Sequence, residues 1–68
     1  MNLLEFSKLI AMLFTTNDKY EITFNLCDKD GARTYTIDDF LSFGDIMNDQ
    51  VILPKEEYYV QVLEIKRK

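Results

Sequence analysis

The sequence predicts an α+β domain: an N-terminal helix, a β-hairpin, a short helix and a C-terminal strand, forming a small antiparallel sheet with a helix on one face. Three patterns point there. Apolar residues recur at helical spacing at the start of the chain, alternate strictly with polar ones in the middle, and alternate again near the end.

In the first segment Leu3, Phe6, Ile10, Leu13 and Phe14 fall at spacings of three and four, one face of a helix, with Glu5 and Lys8 elsewhere. Leu4, Leu9 and Met12 widen the apolar surface, so this helix either packs on two sides or shows apolar groups at a contact. Thr15-Thr16-Asn17-Asp18 ends the pattern with turn-forming side chains.

From Tyr20 the period becomes two. Tyr20, Ile22, Phe24 and Leu26 alternate with Glu21, Thr23 and Asn25, and after Asp28-Lys29-Asp30-Gly31 a second alternating run covers Thr34 to Ile37. A type I′ turn centred on Asp30-Gly31 would set Leu26 opposite Tyr35, Asn25 opposite Thr36 and Phe24 opposite Ile37. Asp38 is the expected N-cap of a short helix to about Asn48, with Phe40, Phe43 and Met47 on one side and Gly44 inside it. Val51 to Leu53 precede Pro54 and should be extended. Tyr58 to Ile65 alternate with apolar residues on both faces, the pattern of a strand in the middle of a sheet.

The segment Asp28 to Asp39 also resembles the twelve-residue calcium loop of the EF-hand family. Asp28 and Asp30 match the first and third loop positions, and Phe24 and Phe40 sit where that family keeps aromatics. This resemblance implies an alternative all-α fold, with Leu3 to Phe14 and Glu56 to Lys66 as flanking helices. Ala32 brings no side-chain oxygen, Arg33 stands where the loop glycine belongs, and Asp39 is shorter than the bidentate glutamate, so the implied loop is degenerate and silent toward calcium.

Composition narrows the function classes. The chain of 68 residues, 47% hydrophobic, is one domain. Chains of this size bury only about 60% of their unfolded surface, which leaves little area for a deep cleft and makes a homodimer a reasonable source of added stability. Cys27 is the single cysteine and there is no histidine, so neither a disulfide framework nor an imidazole-activated nucleophile is available. The lone cysteine points to a reducing, cytoplasmic setting, with Cys27 as a small sheet residue. The apolar run Leu3 to Phe14 is too short to span a bilayer and contains charges, and no glycine-rich phosphate loop is present. No cofactor and no catalytic set are expected.

The net charge is −4, and Lys66, Arg67 and Lys68 close the chain as an expected frayed, solubilising tail. Without them the rest carries −7, which disfavours direct nucleic-acid binding. Asp38, Asp39, Asp45, Asp49, Glu56 and Glu57 are opposed locally only by Lys55, and together could offer a negative surface to a basic groove, including one that normally holds DNA or RNA. Tyr58 and Tyr59 are adjacent, so within a strand they face opposite ways and one should be exposed as a contact residue. The sequence thus suggests a small acidic binding protein that inhibits or adapts a larger protein, in the manner of bacterial, phage or mobile-element accessory proteins.

Overall fold

The computed structural model describes all 68 residues. Helix α1 (Leu3–Phe14) is followed by strands β1 (Tyr20–Asp28) and β2 (Gly31–Ile37), helix α2 (Phe40–Gln50), one 3-10 turn (Lys55–Glu57) and strand β3 (Tyr59–Arg67). The three strands form one antiparallel sheet in the order β2-β1-β3. This is the α+β arrangement, and it excludes the all-α alternative: Asp28 to Asp39 form a hairpin, a strand and the cap of α2 rather than a cation-binding loop between helices.

Local chemistry explains why the elements start where they do. Asn2 caps α1 in a reciprocal box: its Oδ1 accepts from the Glu5 amide at 2.8 Å and Glu5 Oε1 accepts from the Asn2 amide at 3.1 Å. The helix buries Leu3, Phe6 and Ile10 against Ile22, Phe24, Leu26, Ile37, Tyr58 and Val60. Phe6 lies at the centre, with ring centroids 4.6 Å from Phe24 and 5.7 Å from Phe43 of α2. Both helices cover this one face. The opposite face is polar and solvated, with a row of side-chain hydrogen bonds across the strands: Thr23 Oγ1 to Thr36 Oγ1 at 3.1 Å, Thr34 Oγ1 to Asn25 Oδ1 at 2.6 Å and Asn25 Nδ2 to Gln61 Oε1 at 3.4 Å.

The hairpin differs from the expected type I′ turn. Asp28 pairs with Gly31, so Lys29 and Asp30 form the turn, and Phe24 faces Tyr35, Asn25 faces Thr34 and Leu26 faces Arg33. Asp28 Oδ1 accepts from the Asp30 amide at 2.8 Å, an Asx turn that keeps Lys29 and Asp30 at negative φ. The positive φ falls instead on Gly31, at 138°. The register has moved by two residues, so every side chain keeps its expected face.

Three further expectations are corrected. Asp39, not Asp38, caps α2, which runs to Gln50 rather than Asn48. Val51 to Leu53 link α2 to the 3-10 turn outside any helix, and the Tyr58 hydroxyl holds this segment by accepting from the Ile52 and Leu53 amides, each at 3.0 Å. β3 is an edge strand, not a central one, and an irregularity in its pairing opposite Thr23 and Phe24 interrupts the alternation. The closing basic residues belong to the fold as well. The Lys68 amide donates to the Lys19 carbonyl at 2.8 Å, Arg67 pairs with Asp18 and Lys68 with Asp38, each at 2.7 Å, so this end is zipped to β1 rather than frayed.

Candidate partner-binding surface

The six acidic positions singled out in sequence fall into three places. Asp38 and Asp39 stand at the start of α2, Asp45 and Asp49 lie one turn apart near its end, and Glu56 and Glu57 lie on the 3-10 turn. Asp39 and Asp49 are ten residues apart, about 15 Å along a helix at 1.5 Å per residue. They form no single patch.

Two of the six have structural work at the helix start. Asp38 Oδ2 holds the Lys68 ammonium at 2.7 Å, and this hydrogen bond keeps the Lys68 pKa above its usual value. Asp39 Oδ1 accepts from the Ser42 amide at 2.7 Å and from the Ser42 hydroxyl at 2.8 Å, and these bonds hold the Asp39 carboxyl below its ordinary value of 3.8. A depressed carboxylate pKa contributes stability that is complete above the unfolded value and lost as pH falls through the folded one. Asp39→Asn should therefore flatten the loss of helical circular dichroism from α2 below that ordinary value of 3.8, while leaving neutral-pH behaviour close to wild type. An unchanged acid limb would remove this role.

The tyrosine pair splits by burial. Tyr58 is 3% exposed, so its ring serves the core and is withdrawn from any partner; Tyr59 is 59% exposed on the solvated sheet face, beside Cys27. Glu56 and Lys55 rim an apolar groove between the helices, lined by Leu3, Leu4, Phe43, Met47 and Leu53.

Asp49 meets Asp28 and Asp30, the acids of the hairpin turn that also carry the EF-hand resemblance. A recess of about 260 Å3 between the hairpin and the end of α2 is bordered by Asp28, Asp30 and Asp49, with Arg33 as its one cation. Arg33 Nη1 donates to Gln50 Oε1 at 2.6 Å, and the Tyr35 hydroxyl donates to the same oxygen at 3.1 Å, so the guanidinium is held against α2 by a neutral partner. Asp45, one turn earlier on the same side of α2, is exposed, and so are Leu41 at 78% and Ile52 at 83% at either end of this stripe. No residue of α2 is fully buried; it is attached through the half-buried Phe43, Ile46 and Met47. An 11-residue helix draws most of its stability from such packing, so α2 is the more lightly anchored of the two helices and is well placed to gain from a second surface.

The geometry defines a three-stranded α+β domain with an acidic recess at one end. Compared with known protein families, curated proteins and solved structures, the chain matches none. No helix is long and apolar enough to cross a membrane.

Proposed function

We propose that this chain is a non-enzymatic, cytoplasmic binding domain that docks on a basic region of a larger protein and inhibits or adapts it. One observation carries the reading: Asp28, Asp30 and Asp49 border one recess, and exposed Asp45 and Ile52 continue the same surface. Carboxylates of this kind steer a basic partner and set its register, while Ile52 and Leu41 supply the apolar contact that holds it. Asp38 and Asp39 support this surface indirectly, by fixing the start of α2.

The test is affinity capture with wild type and with the double charge reversal Asp45→Lys/Asp49→Lys. Both positions are exposed, so the variant should keep its fold. A partner retained by wild type in low salt should be retained about tenfold or more less well by the variant, a change of about 1.4 kcal/mol. Equal retention would remove the acidic surface from the account.

A further inference from the structure

The sheet has two edges, and they are treated differently. On the outer side of β3, Met1 exchanges backbone hydrogen bonds with Val60, at 2.8 Å and 2.6 Å. Beyond that point the strand carries a pairing irregularity and the exposed Lys66 and Arg67, the usual defences of an edge.

β2 has no covering segment and no bulge, and its one charged side chain, Arg33, is tied to Gln50 of α2. Val60 directs its peptide groups away from the sheet, so strand alternation turns those of Asn25 and Cys27 toward β3 and those of Phe24 and Leu26 toward β2. By the same alternation the N–H and C=O groups of Ala32, Thr34 and Thr36 point outward. None of them has a partner in the chain, all three residues are exposed, and β2 carries no proline or bulge. This edge passes directly into the acidic recess, which Gly31, Ala32 and Arg33 border together with Asp28, Asp30 and Asp49.

We propose that β2 receives an extended, basic segment of the partner protein as a fourth strand. Its backbone pairs with Ala32, Thr34 and Thr36, and a lysine or arginine enters the recess beside Asp49. Main-chain pairing of this kind supplies affinity without sequence preference, and the pocket at the end of the edge supplies the choice of side chain. The charge at that end selects the occupant. A second copy paired antiparallel along β2 would set the Ile37 end of its strand, which runs on into Asp38 and Asp39, beside the recess and add acids to acids, whereas a basic strand neutralises it. The proposal rests on the acidic docking surface above and names what that surface holds.

The experiment is amide hydrogen exchange of the full chain by NMR with a short peptide of alternating lysine and valine. Its glutamate and valine counterpart and a version N-methylated at alternate residues serve as controls. With peptide at about ten times its Kd, exchange at Ala32, Thr34 and Thr36 should slow about tenfold, and neither control should protect them. Thr34→Pro removes one outward N–H that the sheet does not use, so it should fold and lose the protection. Protection by the N-methylated peptide, or none by any peptide, would overturn the added strand. Protection that grows with protein concentration alone would assign the edge to a second copy and overturn it too. If Asp45→Lys/Asp49→Lys weakens partner capture while these amides stay unprotected, the strand fails and the acidic docking surface stands; if neither responds, both fail.

Discussion

Phe24→Ala is expected to move the urea unfolding midpoint far below that of wild type. Phe24 is fully buried in the central strand, and its ring packs against Phe6 at 4.6 Å and Tyr35 at 5.8 Å. Truncating a buried phenylalanine costs about 3–5 kcal/mol, from lost transfer energy and from the cavity left behind. At about 0.05–0.15 kcal/mol per residue, a domain of this length holds about 3–10 kcal/mol in all. One side chain therefore accounts for a large share of the stability. Circular dichroism and a urea titration check this; a variant with a wild-type midpoint would mean that the centre of the sheet is not where the fold is held.

The second large effect is expected from Tyr58→Phe, which deletes one oxygen and keeps the ring. That oxygen accepts two amides, from Ile52 and Leu53, in the segment that carries the chain from α2 to β3. These bonds are part-buried; leaving such donors unpaired costs about 1–3 kcal/mol, and for a domain of 60–100 residues each kcal/mol moves Tm by about 4–8 °C. The variant should melt about 5–20 °C lower, with faster exchange at the Ile52 and Leu53 amides. A melting point within a degree or two of wild type would show that water replaces the hydroxyl without loss.

Much of the fold was legible because side-chain period is a local property. The alternation from Tyr20 to Leu26 identified the buried set Ile22, Phe24 and Leu26, and the two-residue register error could not change their face. The turn itself was misread because Asp30-Gly31 is a strong I′ pair, while the Asx bond from Asp28 favours a right-handed turn one residue earlier.

What the sequence hid depends on neighbours far along the chain. The apolar residues on both sides of β3 suggested a central strand, yet Leu63 and Ile65 are exposed at an edge. The closing basic residues looked like a free tail because their partners, Asp18, Lys19 and Asp38, are distant in sequence. The acidic residues were counted by proximity along the chain, which grouped Asp38 with Asp49 and omitted Asp28 and Asp30. Only the packing of α2 beside β2, through Gln50 with Arg33 and Tyr35, brings those turn acids to Asp49.

The most direct test of the docking surface is site-specific photo-cross-linking in cells, with the reactive residue at Asn48 on the outer side of α2 or at Lys8 on the outer side of α1. The account predicts that Asn48 captures one protein, that Asp45→Lys/Asp49→Lys abolishes the capture, and that Lys8 captures nothing. Equal capture from both helices, or capture at Asn48 that survives the charge reversal, would contradict it.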